Sequence, residues 1–424
     1  MALRGTLTVP GDKSITHRAI ILGALADGES VISNYCHGQD CLHTAQAFRA
    51  MGVLIDIGPD RMRVSGKGLS SLREPDSLVD CGNSGTGIRL LAGVLAGQDF
   101  FSVLTGDEST RRRPMGRVVG PLREMGAQIA GRRGGELAPL AITGARLRGI
   151  AYRSPVASAQ VKSSVLLAGL FAKGTTSVTE PALSRDHTER LFDYLGIPLT
   201  RHGLTVSLTG QRAFAARDIP VAGDLSAAAF FLVGASLAPD SDVTITGVGV
   251  NPTRTGILEI LRDMGARIDL VNPRVQAGEP VADLRVRSAP LRGITIGPDR
   301  IPQTIDEFPI LCVAAACAQG ETVISGASEL RVKESDRIAT MAAELRRMGA
   351  EVEERPDGMR IVGGRPLKGA VCQSHGDHRV AMSMTIAGLV ASGETTVEDT
   401  ACVATSFPEF DKKLRGLLTP SGQG

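Results

Sequence analysis

The chain of 424 residues has no tryptophan and three tyrosines, so it lacks the aromatic platforms on which proteins stack single-stranded nucleic acids. It also lacks an excess of charge of one sign. Its 47 basic and 45 acidic side chains leave a net charge of +2, too little for a global field that attracts a polyanion or an acidic membrane. Neither nucleic acid nor membrane is therefore expected as a partner, and any preference for anions must be local. Long apolar runs are missing too: stretches such as 308–318 and 380–390 carry small or polar residues and stop short of the roughly 18 to 20 residues that cross a bilayer. The opening Met1–Pro10 breaks at Pro10 and Gly11 before an apolar signal core forms, and reads as a short strand. Seven cysteines, an odd number without a Cys-x-x-Cys pair, point to reduced thiols and a cytoplasmic setting. The groups Cys36-His37…Cys41-x-His43 and His375-x-x-His378 match no zinc spacing, so no metal is expected.

What the chain does have is length for two to three domains, 42% apolar residues to fill their cores, and fifty glycines. The glycines recur in register. Lys13-Ser-Ile-Thr-His-Arg-Ala-Ile-Ile-Leu-Gly-Ala-Leu and Gln160-Val-Lys-Ser-Ser-Val-Leu-Leu-Ala-Gly-Leu share one pattern: a polar opening, an Ala/Leu-rich helix, a Gly or polar break, then a strand. The pattern returns at 83–103, 224–243, 306–323 and 377–397. A second refrain, a helix ended by glycine before a strand, places Gly52, Gly126, Gly196, Gly265 and Gly349 about 70 residues apart, with a truncated sixth copy near Leu414. A unit this long is a small α/β layer rather than a solenoid repeat. Six units divide economically into two domains of three. Pro10-Gly11 and Pro220–Gly223 are the expected hinges, giving one discontinuous domain of residues 1–11 and 223–424 and an inserted one of 12–222.

The polar openings carry the chemistry, because helix N-termini gather unpaired N–H groups and the positive end of the helix dipole. Lys13, Ser14 and Arg18 lie in the first opening. Asn83, Ser84, Thr86 and Arg89 lie in the second, and Ser158, Gln160 and Lys162 in the third. Asp306 and Glu307 open the fifth, and Asp377, His378 and Arg379 the sixth. Each fragment alone has a plainer reading. Gly82–Gly87 could be only a glycine-rich turn, Arg111–Arg113 a solvated loop, the segment Lys333–Arg337 a stretch of surface helix with i,i+4 ion pairing, and Asp306-Glu307 a helix cap. The plainer readings weaken because the fragments occupy equivalent repeat positions.

Seven of these segments, in order, resemble the 5-enolpyruvylshikimate-3-phosphate synthase family, in the branch called class II. They are Gly11–Arg18, Gly82–Arg89, Arg113–Gly116, Ser158–Ser163, Leu330–Arg337, Asp377–Arg379 and Thr405–Pro408. The resemblance implies two inside-out, barrel-like α/β domains, each of three βαβαββ repeats, joined by a two-strand hinge. It implies transfer of the enolpyruvyl group of phosphoenolpyruvate to the 5-hydroxyl of shikimate 3-phosphate with release of phosphate, by a monomer without cofactor. Carried over residue by residue, it assigns Lys13, Ser14, Arg18, Ser158, Ala159, Gln160, Arg185, Asp306 and Lys333 to shikimate 3-phosphate. Lys13, Asn83, Gly85, Arg113, Gln160, Arg337 and Arg379 fall to phosphoenolpyruvate, and the proton transfers to Lys13, Asp306 and Glu334. The herbicide glyphosate is implied as a competitor in the phosphoenolpyruvate pocket.

The two substrates together bring about five to six negative charges. Nine cations are candidates to meet them: Lys13, Arg18, Arg89, Arg113, Lys162, Arg185, Lys333, Arg337 and Arg379. The chain departs from the family at Thr405, where a lysine is common, and at His187, where a tyrosine is common; Lys162 and Arg185 are the expected replacements. Two rival readings stand beside this one. A sister transferase acting on a UDP-amino sugar carries a reactive cysteine in a mobile loop, whereas Arg111–Pro114 has none. A silent anion-binding paralogue does not need Lys13, Asp306, Glu334 and Arg379.

Overall fold

The computed structural model describes residues 1–419. It divides into two compact units: Met1–Pro10 with Ala222–Val275 and Pro280–Gly424, and Gly11–Val221 with the turn Gln276–Glu279.

The unit Gly11–Val221 holds seven helices: α1 Lys13–Leu25, α2 Gln39–Ala50, α3 Gly85–Ala96, α4 Glu108–Arg112, α5 Gly116–Met125, α6 Ala159–Gly169 and α7 His187–Tyr194. Three of them, α1, α3 and α6, bury nearly every residue, because beyond their polar opening turns their sequences are apolar or small all the way round rather than on one stripe. A helix of that kind belongs inside. Outside it lie three four-stranded sheets of one design. In the second, Val79–Asp80 pairs in parallel with Phe101–Thr105 across α3, and the antiparallel hairpin Gln128–Arg132 and Leu137–Thr143 completes the sheet. The third repeats this around α6 with Ala151–Arg153, Thr175–Thr179, Thr205–Thr209 and Leu199–His202. In the first, the parallel strand beside Asp27–Ser33 is Ile219–Pro220, from the far end of the unit.

The other unit is built alike from α8 Leu225–Leu237, α9 Gly256–Asp263, α10 Phe308–Cys317, α11 Arg337–Arg347, α12 His378–Val390 and α13 Phe410–Leu417. Here α8, α10 and α12 are the buried helices, and Phe230, Phe231, Phe308, Val313, Val380 and Ile386 belong to one continuous core. Among the described residues its last repeat has no hairpin. After α13 the chain adds Leu418–Thr419 antiparallel to Ala2–Leu3, closing a five-stranded sheet whose centre is the parallel pair Ala2–Thr8 and Asp242–Gly249. The expected βαβαββ repeats with helices inside and sheets outside are thus present, the sixth in shortened form.

Capping explains where the inner helices start. Asp12, Ser84, Ser158, Asp224 and Asp377 each accept a backbone N–H of the first turn. The start of α10 differs: Glu307 makes no such bond, and Pro309 occupies its first turn. All seven cysteines are free thiols. Among the described residues, no helix is long and apolar enough to cross a membrane.

Candidate active site

In the unit Gly11–Val221, capping by Asp12 places Lys13 at the mouth of α1, where its Nζ lies 3.0 Å from Asp40 Oδ2. Ser14 and Arg18 share a helix face, and Arg18 Nη1 donates to the Ser14 carbonyl at 2.9 Å. The buried Arg18 also donates to Thr188 Oγ1 and Ser163 Oγ, both at 2.6 Å. Burial lowers its pKa to about 10, so it stays charged at neutral pH. One residue earlier, His17 is buried against Thr44 and Ser84; burial first, then the charges of Lys13 and Arg18, lower its pKa to about 3.

The start of α3 forms a second cluster. Arg113 Nη2 donates to Asn83 Oδ1 and Ser109 Oγ, each at 3.0 Å, while Asn83 Nδ2 donates to Asp107 at 2.6 Å. Gly85 is the first residue of α3, and a Cβ built on it lies 2.7 Å from Arg113 Nη1. Gln160, in the first turn of α6, accepts from Arg89 Nη1 at 2.6 Å and donates to Thr86 at 3.0 Å, tying the openings of α3 and α6 together. Ser158 caps α6, Ala159 begins it, and the half-buried Arg185 stands in the loop before α7.

One of the two expected replacements, Lys162, comes out differently. Lys162 is 2% exposed and ion-paired to Glu180 Oε2 at 2.7 Å and Glu189 Oε1 at 2.8 Å, so it serves the protein's own carboxylates and is no ligand-facing cation. Sequence order hides this, because both glutamates lie far along the chain. His187 is buried with Nδ1 2.7 Å from Glu279 Oε1.

In the other unit, one guanidinium organises the acids. Arg337, 1% exposed at the start of α11, meets Asp377 Oδ2 at 2.8 Å, Glu334 Oε2 at 2.7 Å and Asp306 Oδ1 at 3.6 Å. Burial disfavours its charge, but Asp377, Glu334 and Asp306 together outweigh that and raise its pKa. Asp377 accepts the Arg379 N–H at 2.9 Å, joining the acid cluster to the start of α12 and to Arg379. Lys333 and Glu334 lie between the 3-10 turn Ser328–Val332 and α11, not within a surface helix, so the i,i+4 reading of this segment fails. Glu307, read as a cap, instead accepts from Ser226 Oγ and lies 3.5 Å from the buried Arg254. Thr405 Oγ1 donates to the Cys402 carbonyl at 2.8 Å.

Sequence reading missed Glu180, Glu189, Ser226 and Arg254 as partners of site residues. The available signal was a charged or polar residue inside an otherwise apolar repeat position, which demands a buried partner. Among the described residues, no group of three or more His, Cys, Asp and Glu could hold a metal ion.

Basic and hydroxyl side chains at the mouths of buried helices mark a two-unit α/β enzyme class that handles anionic substrates. The sequence model of EPSP synthase (3-phosphoshikimate 1-carboxyvinyltransferase) matches residues 1–414, and the chain belongs to this family. It is 58% identical over 413 residues to the 3-phosphoshikimate 1-carboxyvinyltransferase of Geobacter sulfurreducens, covering 97% of this chain and 96% of that protein. Identity to the protein of the same name from Geotalea uraniireducens is 55% over 419 residues, with 99% and 98% covered. A solved structure of EPSP synthase from Acinetobacter baumannii superposes with a TM-score of 0.88 at 47% identity, covering 98% of this chain and 96% of that one.

Proposed function

We propose that the chain transfers the enolpyruvyl group of phosphoenolpyruvate to the 5-hydroxyl of shikimate 3-phosphate and releases phosphate, as a cytoplasmic monomer. The observation that carries the mechanism is the placement of Asp306 and Glu334 on one buried guanidinium, Arg337. In the first half of the reaction a base takes the 5-hydroxyl proton as that oxygen bonds to C2 of phosphoenolpyruvate, and an acid delivers a proton to C3. The tetrahedral intermediate then loses phosphate as a proton leaves the new methyl group. Asp306, Glu334 and Lys13 handle these protons, and Arg337 fixes the two carboxylates while they do so.

Ser14, Arg18, Ser158, Ala159, Gln160 and Arg185, with Lys13, Asp306 and Lys333, hold shikimate 3-phosphate. Asn83, Gly85, Arg113, Arg337 and Arg379, with Lys13 and Gln160, hold phosphoenolpyruvate and its competitor glyphosate. Arginine suits both ends because its planar fork binds carboxylate or phosphate through two hydrogen bonds.

The test is phosphate release. It should need both substrates, fail with either alone, and fail when a UDP-amino sugar replaces shikimate 3-phosphate. Glu334→Gln keeps shape and hydrogen bonding but removes the titrating proton, so kcat should fall at least about a hundredfold while substrate binding is largely kept. An unchanged kcat removes Glu334 from the chemistry.

A further inference from the structure

Lys162, Glu180 and Glu189 form a buried charge cluster that the proposed chemistry does not use. The ammonium lies 2.7 Å from Glu180 and 2.8 Å from Glu189, with all three side chains 2–3% exposed. Burial opposes the lysine's charge, but the two glutamates outweigh it and raise its pKa, so the ion pairs persist at neutral pH. Removing a charge this deep from water is costly, and well-packed apolar residues would stabilise the fold at least as well. A role beyond stability is visible on the other oxygen of Glu180. Its Oε1 accepts from the Ser158 backbone N–H at 3.1 Å and from Ser184 Oγ at 2.6 Å. Ser158 caps α6, and Ser184 immediately precedes Arg185. On the far side of the cluster, Thr188, next to Glu189, joins Ser163 at 2.7 Å, and both hydroxyls accept from Arg18.

We infer that Lys162 is a positioning residue for shikimate 3-phosphate: by holding Glu180 and Glu189 it sets the Ser158 cap, the Ser184-Arg185 loop and the support of Arg18 as one preorganised unit. This rests on the functional reading above for the identity of the ligand. Of the proposed phosphoenolpyruvate contacts, Asn83 and Arg113 bond to each other, to Asp107 and to Ser109, and Gln160, although in the first turn of α6, bonds to Arg89 and Thr86. The effect of disturbing it should therefore be selective for one substrate.

Two variants test it. Lys162→Met keeps the length and deletes the charge; Ser184→Ala deletes only the hydroxyl that Glu180 accepts and leaves the ion pairs intact. Shikimate 3-phosphate binding is titrated by calorimetry without phosphoenolpyruvate, and KM is measured for each substrate. Lys162→Met should raise the Kd and KM for shikimate 3-phosphate about 10- to 100-fold, Ser184→Ala about 3- to 10-fold, and KM for phosphoenolpyruvate should stay within about twofold. Because both act through Glu180, the double variant should lose less than the product of the single losses. A folded Lys162→Met with unchanged affinity, KM values for both substrates rising together, or fully multiplicative losses overturn the inference. Should Lys162→Met not fold, unchanged affinity in Ser184→Ala overturns it alone. Wild-type protein that binds no shikimate 3-phosphate overturns the functional reading itself and this inference with it.

Discussion

A Cβ on Gly85 would stand 2.7 Å from Arg113 Nη1 and 3.2 Å from Arg89 Nη1, while no backbone atom is among its nearest neighbours. The methyl group can thus be accommodated, but only by moving the end of a guanidinium that the proposed function places on phosphoenolpyruvate. Gly85→Ala is expected to raise the glyphosate inhibition constant by about ten- to a hundredfold, the 1 to 3 kcal/mol of an opposed close contact. Because Arg113 must shift, KM for phosphoenolpyruvate should rise too, by less than about tenfold. Paired inhibition curves decide the matter; a wild type already insensitive to glyphosate, with no further change in the variant, contradicts it. His17 offers a second measurement. Its pKa is about 3 when folded against 6.5 in an unfolded chain, so between these values the unfolded state binds a proton that the folded state does not. The neutral imidazole contributes fully above pH 6.5, and that contribution drains away as pH falls toward 3. His17→Asn keeps a partner for Thr44 and removes the titration. The loss of stability between pH 7 and pH 4.5, read from urea midpoints, should be smaller in the variant than in the wild type by about 2 to 3 kcal/mol. Equal losses would mean that His17 is protonated in the folded state. Little of this was legible beforehand: the sequence places a histidine between a lysine and an arginine, but only burial decides that it stays neutral.

At the scale of elements, glycine does two jobs, and sequence reading recognised one. The helix-ending glycines do adopt left-handed backbone, with φ of +85° at Gly52, +115° at Gly126 and +101° at Gly265. The second set sits just beyond a hairpin strand and lets the chain cross the carbonyl end of an inner helix. A Cβ on Gly144 would lie 1.9 Å from the Gln98 carbonyl oxygen and 2.8 Å from that of Leu95, after α3. Gly210 stands 2.2 Å from the oxygen of Gly169, the last residue of α6, and Gly363 2.1 Å from the Ala318 oxygen just after α10, measured in the same way. These are contacts with backbone, which cannot swing aside. Gly144→Ala is expected to destabilise by about 3 kcal/mol, at the upper end of overpacking costs. Gly120→Ala, where nothing lies within 4 Å, should be neutral or slightly stabilising because alanine favours the helix. Similar denaturation midpoints for both variants would refute the distinction. The repeats and their inner helices were readable because alternation of apolar run, glycine and strand is local. The close approaches were not, since each depends on a partner tens of residues away. Lys162 was misread for the same reason: local pattern shows a charge, and only the fold shows Glu180 and Glu189 beside it.

For the molecule as a whole, the division into two units with separate buried helices has a thermodynamic consequence. The core around α8, α10 and α12 draws its members from Leu3–Val9 and from Leu225 onward, so it can persist when the other unit melts. Calorimetry of the ligand-free protein is expected to resolve two transitions, with hydrogen exchange identifying the unit that opens in each. Shikimate 3-phosphate then discriminates between them. Of its proposed contacts, Lys13, Ser14, Arg18, Ser158, Ala159, Gln160 and Arg185 lie in Gly11–Val221, whereas only Asp306 and Lys333 lie in the other unit. At a hundred times its dissociation constant a ligand stabilises the state that binds it by about 2.7 kcal/mol. For a unit of about 200 residues that corresponds to roughly 5 to 10 °C. The shift should fall mainly on the transition of Gly11–Val221. Phosphoenolpyruvate alone, whose proposed contacts are shared between Asn83, Gly85, Arg113 and Gln160 on one side and Arg337 and Arg379 on the other, should not single out that transition. Equal displacement of both transitions by shikimate 3-phosphate, or a larger displacement of the one that contains α8, would refute this assignment of its contacts.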